Sequence, residues 1–213
     1  MSEKIKLIEE AIEKAIRRES KLTPLALAVP ALSSLNIRHL MNNLGAISTR
    51  YLEHGVHKGG LFCSTICNNS NLDYTCAGDS WASDADSEDK ARPQFVDNVY
   101  MLKPIDTIFE ILEGDTFKQS ADEILGPIDL YLFDADHSES SQCRAITHFL
   151  SAMADEFIFC VDDYDWKEVR EGTERGIIES GVEVLYSNVW IGNDHDNNGA
   201  WNGFAVFLLK KKS

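Results

Sequence analysis

The chain has 213 residues, of which 44% are hydrophobic, and 35 acidic against 20 basic side chains give a net charge of −15. This length and apolar content suit a single domain of ordinary size with a substantial buried core. The charge argues against a nucleic-acid or anionic-membrane surface, because both need clustered Lys and Arg. We therefore expect neither nucleic acid nor membrane as a partner.

The location of the protein is predicted from what the sequence lacks. No apolar run approaches the ~20 residues of a membrane span, and the charges from Glu3 onward do not fit a signal peptide. The five cysteines have neither a disulfide-framework nor a zinc-ligand spacing, which predicts buried free thiols in a reducing compartment. We therefore expect a cytoplasmic protein.

Two helices are predicted before the first strand. Isoleucines recur at spacings of three and four over residues 3–19, which indicates an amphipathic helix. A second helix is predicted from Leu35 to Leu44, with Gly45 as its end. We predict that residues 1–46 form a helical cap, for dimer contacts or as a substrate lid, and that residues 47–213 form the main domain.

From residue 50 onward, short apolar segments alternate with helical ones. The predicted strands are Tyr51–Val56, Tyr74–Gly78, Thr107–Leu112, Ile128–Phe133 and Phe157–Val161, and the helices are Leu61–Asn68, Gln94–Leu102, Phe117–Leu125, Ser141–Met153 and Trp166–Ser180. An acidic segment, Ser80–Lys90, is predicted to be a mobile loop. Alternation of this kind predicts a parallel sheet covered on both faces.

Two final strands, Val182–Trp190 and Gly203–Leu209, have no helix between them and are predicted to form a hairpin. The predicted fold class is therefore α/β. It is a Rossmann-like, doubly wound, mostly parallel seven-stranded sheet with a C-terminal antiparallel hairpin and an N-terminal helical cap.

Acidic residues lie near or directly after the carboxyl ends of the predicted strands. In an open α/β sheet, ligands bind outside these ends. The residues, in strand order, are Glu53, then Asp79, then Asp115, then Asp134 and Asp136, then Asp162 and Asp163. Loops are polar and the chain is acidic, so chance placement is the alternative explanation.

The first three strand ends suit a nucleoside. The turn from Gly55 to Gly60 departs from the dinucleotide fingerprint, although glycine still permits a tight turn and a close approach of a ligand to the backbone. A carboxylate such as Asp79 accepts two hydrogen bonds from a ribose diol. Asp115 is placed to receive an adenine amino group.

Four segments stand in the order typical of one family: YLEHGVHKGG, AGDSW, EGDTF and IDLYLFDADH. With the terminal hairpin, they resemble the class I S-adenosylmethionine-dependent methyltransferases over residues 51–209. The resemblance implies S-adenosylmethionine as the methyl donor. The donor-binding residues that it implies are Glu53, Gly55, Gly59, Asp79, Trp81, Asp115, Thr116 and Asp134. For Trp81, packing beneath the acidic loop is the alternative to stacking on adenine.

The fourth and fifth strands resemble the metal-dependent O-methyltransferases of the catechol, caffeoyl-CoA and macrocin types. This resemblance implies that Asp134, Asp162 and Asp163 hold a metal ion. All-oxygen ligation favours Mg²⁺, with Ca²⁺ or Mn²⁺ as further candidates. The alternative is that Asp162 and Asp163 only cap the following helix.

Two residues after the fourth strand are candidates for the catalytic base. His137 matches the position of a catalytic Lys in the catechol and caffeoyl-CoA types, and Asp136 matches the base of some macrocin-like members. We favour His137, because an unperturbed imidazole titrates near pH ~6.5. The alternative for His137 is a plain loop or capping residue.

The sequence thus predicts an S-adenosylmethionine-dependent, Mg²⁺-dependent O-methyltransferase that acts on a hydroxyl group of a small molecule and forms a homodimer. One alternative is a metal-independent methyltransferase or a cephalosporin-hydroxylase-like relative. Another is a non-catalytic binding module, which metal-site carboxylates more than about 6 Å apart would favour. The acceptor, and O- versus N-methylation, stay open at this point.

Overall fold

The computed structural model describes residues 2–82, 90–192 and 199–212, which form one seven-stranded sheet. The strands are β1 (Arg50–His54), β2 (Tyr74–Asp79), β3 (Ile108–Glu113), β4 (Ile128–Phe133), β5 (Met153–Asp162), β6 (Glu183–Trp190) and β7 (Phe204–Lys210). Their order is β3-β2-β1-β4-β5-β7-β6. The first five are parallel, and β7 pairs antiparallel with both β5 and β6. The predicted fold class is confirmed.

Helices cover both faces of this sheet. They are α1 (Glu3–Ile16), α2 (Pro24–Leu27), α3 (Leu35–Gly45), α4 (Gly60–Ile66), α5 (Ala91–Leu102), α6 (Glu139–Phe149) and α7 (Lys167–Ser180). Alternate residues of a strand point to opposite faces, so β4 contributes Leu130 and Leu132 to one apolar cluster and Tyr131 and Phe133 to the other. Burial on both faces explains why this strand is apolar throughout.

The N-terminal helices share the core on one face of the sheet. Ile8 of α1 belongs to the same buried cluster as Leu130. Two polar side chains of α3 stabilise this region. Arg38 donates hydrogen bonds to the carbonyl oxygens of Ala26 (2.6 Å) and Leu27 (3.0 Å). Asn42 donates a hydrogen bond to the carbonyl oxygen of Ser64 at 2.8 Å. The predicted division at residues 46 and 47 stays a prediction.

Two predicted helices differ from the structure. The segment Phe117–Leu125 was predicted to be one helix, but it contains two short 3₁₀ turns, Thr116–Lys118 and Ala121–Glu123. Asp115 and Ser120 each cap one turn with a side-chain oxygen, so two local hydrogen-bonded turns compete with a continuous helix. The helix predicted over Ser141–Met153 ends at Phe149, and Met153 begins β5.

All five cysteines are buried and free, as the sequence predicts. Across the described parts of the chain, no helix combines the length and apolar character needed to cross a membrane. Of the acidic loop predicted over Ser80–Lys90, residues 83–89 lie outside the described residues.

Candidate active site

A cleft of about 800 Å³ lies at the carboxyl ends of the parallel strands. It spans the boundary between β1 and β4, where the strand order reverses and where ligands of doubly wound sheets bind. Its lining includes five predicted donor-binding residues and one predicted base. These are Gly55, Asp79, Asp115, Thr116, Asp134 and Asp136.

Asp79 links the end of β2 to the first turn. One carboxylate oxygen accepts the backbone N–H of His57 and the other accepts that of Trp81, both at 2.8 Å. Each carboxylate oxygen has a second lone pair. Asp79 is therefore held in place and keeps acceptor capacity for the hydroxyls of a ribose.

The two predicted glycines serve the turn after β1. Gly55 has φ +92°, and a Cβ there would lie 1.8 Å from the carbonyl oxygen of Asp134. Gly59 has φ +88° and is the N-cap residue of α4, where a Cβ would meet the ring of Phe95 at 2.8 Å. Both positions need glycine, but only Gly55 lines the cleft.

Trp81 lies outside the cleft lining. Only 6% of the residue is exposed, its Nε1 donates to the carbonyl oxygen of His57 at 2.9 Å, and its ring packs 5.6 Å from that of Phe95. The indole therefore supports the first turn by packing. Its predicted stacking on adenine stays a prediction.

Glu53 is buried beneath the site. It accepts a hydrogen bond from the hydroxyl of Tyr51 and lines, with Asp134, a small cavity of about 40 Å³ beside residues 30–33. Burial raises the pKa of Glu53 to about 8, against the lowering effect of the Tyr51 hydrogen bond. Glu53 is therefore protonated at neutral pH in the folded, ligand-free protein.

The far end of the cleft contains predicted Asp115 together with two residues, Phe117 and Arg144, to which the sequence assigned no role in the site. Asp115 accepts the N–H of Phe117 at 3.0 Å. The guanidinium of Arg144, on α6, lies 4.0 Å from the ring centroid of Phe117 and contributes a positive charge to the cleft lining. No spacing rule pairs a helix arginine with a phenylalanine 27 positions earlier, so neither residue was predicted for the site.

Three potential metal ligands converge after β4 and β5. Nε2 of His137 lies 2.9 Å from Oδ2 of Asp163 and 4.0 Å from Oδ1 of Asp134. One ligand atom from each residue lies within 4.8 Å of the others. The structure therefore brings together two of the three predicted metal ligands and adds His137.

The third predicted ligand, Asp162, lies outside that group of ligand atoms. It is buried, and its Oδ1 accepts the backbone N–H of Asp163 at 3.0 Å. Asp162 therefore does not cap the following helix, which is the role that the alternative interpretation of the sequence gave to the Asp162–Asp163 pair, because α7 begins after Trp166 without a side-chain cap. Its assignment as a ligand stays a prediction.

The electrostatics of the cluster suit a cation. Burial and the carboxylates of Asp162 and Asp163 raise the pKa of Asp134, and the contact with Asp163 raises the pKa of His137. Nε2 of His137 is buried and faces Oδ2 of Asp163 at 2.9 Å, which is the distance of an ion pair when the imidazole is protonated. The cluster therefore fits a divalent metal ion.

Asp136, the other predicted base, accepts a hydrogen bond from the protein backbone. Its carboxylate accepts the backbone N–H of Ser138 at 2.8 Å at the start of α6. Hydrogen bonds from Ser138 lower the pKa of Asp136, because they stabilise its charged form. This makes Asp136 a weak proton acceptor, although it lines the cleft.

The fold is shared with solved methyltransferases. The O-methyltransferase TomG from Streptomyces achromogenes, in complex with S-adenosylmethionine, matches with a TM-score of 0.59 and 16% identity over 94% of this chain and 90% of its own. An O-methyltransferase from Bacillus cereus in complex with S-adenosylhomocysteine gives 0.58 and 14% over 96% and 91%. A putative RNA methyltransferase from Pyrococcus horikoshii gives 0.56 and 12% over 97% and 98%.

These matches confirm the predicted resemblance at the level of the fold. No family model matches the sequence, and no curated protein matches it. At such low identities the shared feature is the architecture of the S-adenosylmethionine-dependent methyltransferases. The chemistry has to be argued from the residues of this chain.

Proposed function

We propose that the protein is an S-adenosylmethionine-dependent methyltransferase that methylates a hydroxyl group of a small molecule with the help of a divalent metal ion. The observation that supports this most strongly is the acidic cleft at the point where the strand order reverses. Carboxylates reach it from the ends of β2, β3 and β4.

The charge of the cleft complements the donor. S-adenosylmethionine carries a sulfonium, an ammonium and a carboxylate, and is therefore a net cation. Four carboxylates and one guanidinium line the cleft. A concave site lined mainly by one sign of charge raises the local concentration of the opposite sign.

The donor is assigned to the cleft by hydrogen-bonding capacity. Asp79 would accept the ribose hydroxyls, and Asp115 with Thr116 would face the adenine. Gly55 would let the methionine part approach the backbone near Asp134. Glu53, Gly59 and Trp81 would support these groups from the buried side.

The transfer itself is an in-line displacement. The acceptor oxygen forms a bond to the methyl carbon as the carbon–sulfur bond breaks, and the electron pair stays on sulfur. The acceptor proton passes to a base, for which His137 and Asp136 are the two candidates. A divalent ion, when bound, would lower the pKa of the acceptor hydroxyl.

The acceptor is proposed to be small and uncharged or cationic. The net charge of −15 disfavours a polyanion such as RNA. The small cavity lined by Glu53, Asp134 and residues 30–33 adjoins the metal-site carboxylates, so the 30–33 segment is proposed to contact the acceptor. A homodimer and a cytoplasmic location belong to the same proposal.

Replacing Asp79 with alanine is expected to weaken binding of S-adenosylhomocysteine about 10- to 100-fold, because hydrogen bonds to a charged group contribute about 1.5–3 kcal/mol. Isothermal titration calorimetry would measure this. Asp97→Asn removes an exposed carboxylate of α5 and is the matched control. Unchanged affinity in Asp79→Ala would contradict the assignment of the ribose.

A further inference from the structure

The surroundings of His137 do not fit its predicted role as the catalytic base. A base needs a free nitrogen directed at the acceptor, but Nε2 of His137 points at Asp163 and Asp134. The ring packs 4.8 Å from that of Trp166, which restricts its rotation. This nitrogen is enclosed by the protein and faces two acidic side chains without a hydrogen bond to any described residue.

The distances match those of ligands that share one ion. About an ion with bonds of ~2.1 Å, two ligand atoms lie roughly 3.0 Å apart at right angles and about 4.2 Å apart in line. Nε2 of His137 lies 2.9 Å from Asp163 and 4.0 Å from Asp134. An ion therefore fits among these three atoms with little movement of the side chains.

A hydrogen bond to its other carboxylate oxygen orients Asp163 toward this position. Its Oδ1 accepts a hydrogen bond from Nδ2 of Asn202 at 2.8 Å, which leaves Oδ2 toward His137. Partners of this kind fix the orientation of metal ligands. Asp162 accepts the backbone N–H of Asp163 with its Oδ1, and it does not belong to the group of ligand atoms that Asp134, His137 and Asp163 form.

We propose that His137 is a metal ligand and that Asp134, His137 and Asp163 form a nitrogen-and-oxygen site for a first-row transition-metal ion. Imidazole suits Zn²⁺, Fe²⁺ and Co²⁺, whereas Mg²⁺ and Ca²⁺ prefer sites made of oxygen alone. This site takes the place of the all-oxygen Mg²⁺ site predicted from the sequence, it supplies the divalent ion of the proposed function, and it leaves Asp162 a supporting role. A nitrogen bonded to a metal ion is not available as a base.

The test is a metal titration of the chelator-treated, full-length protein. We expect one Co²⁺ per chain, with a visible absorption spectrum of nitrogen-and-oxygen ligation, and Zn²⁺ displacing it. Mg²⁺ should bind at least about 100-fold more weakly than Zn²⁺. His137→Gln should weaken Co²⁺ binding by about 100-fold or more, since even supporting residues of metal sites cost 10- to 100-fold.

Two control variants separate the proposal from its rivals. Asp162→Asn should keep the Co²⁺ affinity, and so should His148→Ala, since Nε2 of His148 contacts the carbonyl oxygen of Gln119 instead. Loss of binding in Asp162→Asn with full binding in His137→Gln would overturn the proposal in favour of the all-oxygen site. Failure of Co²⁺ and Zn²⁺ to bind would also overturn it.

The donor site is measured separately. S-adenosylhomocysteine binding to the same metal-free protein reports on the proposed function alone. Donor binding without metal binding would overturn the metal site and leave the methyltransferase proposal standing. Metal binding without donor binding would overturn the methyltransferase proposal and leave the metal site standing.

Discussion

Replacing Gly55 with alanine is expected to lower the melting temperature by about 10 °C or more. The new Cβ would lie 1.8 Å from the carbonyl oxygen of Asp134 and 2.8 Å from the backbone nitrogen of Ala135. The backbone of Asp134 and Ala135 has to move away from residue 55, and clashes of this kind cost about 4 kcal/mol or more. In a domain of this size, each kcal/mol shifts the melting temperature by about 2–4 °C.

Gly181→Ala is the matched control for Gly55→Ala. Gly181 also has a positive φ, +69°, but a Cβ there meets no atom within 4 Å. Its cost is the left-handed backbone alone, about 1–2 kcal/mol. The difference in melting temperature between the two variants measures the cost of the steric clash alone, because of the two positions only Gly55 places a Cβ against the residues that follow β4. Equal melting temperatures for the two variants would contradict that geometry.

Glu53→Gln is expected to stabilise the protein as the pH rises. Burial raises the pKa of Glu53 to about 8 in the folded chain, whereas an unfolded glutamate titrates near ~4.3. Below the unfolded pKa both states hold the proton. Between the two pKa values, only the unfolded state loses its proton, so wild-type stability falls until the pH passes about 8.

Glutamine imitates the protonated carboxyl and does not titrate. The variant should therefore match the wild type near pH 4 and exceed it at pH 8, by up to about 5 kcal/mol and roughly 10 °C. Melting temperatures of metal-free protein between pH 4 and 8 would measure this. Glu110→Gln is the control, because Glu110 also accepts from a tyrosine hydroxyl, at 2.6 Å, but is exposed. A difference in melting temperature between Glu53→Gln and the wild type that does not grow with pH would contradict the raised pKa of Glu53.

The parts of the fold that sequence predicted are those controlled by burial. The apolar runs of β4 and β5 and the alternation with helices are direct consequences of a sheet covered on both faces. Helix α2 was missed because four residues, Pro24–Leu27, are too few to show a helical period. The segment after β3 was misjudged because capping by Asp115 and Ser120 is local chemistry that periodicity does not reveal.

The same holds for the candidate site: positions set by the sheet topology were predicted, and positions set by local backbone geometry were not. Asp79, Asp115 and Asp134 were found because the carboxyl ends of parallel strands meet at one edge. Which of Asp162 and Asp163 faces His137 depends on the backbone after β5, where Asp163 has φ +55°. A non-glycine residue rarely adopts that conformation, so no spacing rule predicts that Asp163, and not Asp162, lies beside the histidine.

A crystal structure of the protein grown with millimolar S-adenosylhomocysteine would test the central claim most directly. We expect the ribose hydroxyls on Asp79, the adenine beside Asp115 and Thr116, and the sulfur facing Asp134. Crystals with an unfilled cleft at saturating ligand, or with the nucleoside bound elsewhere on the molecule, would contradict it.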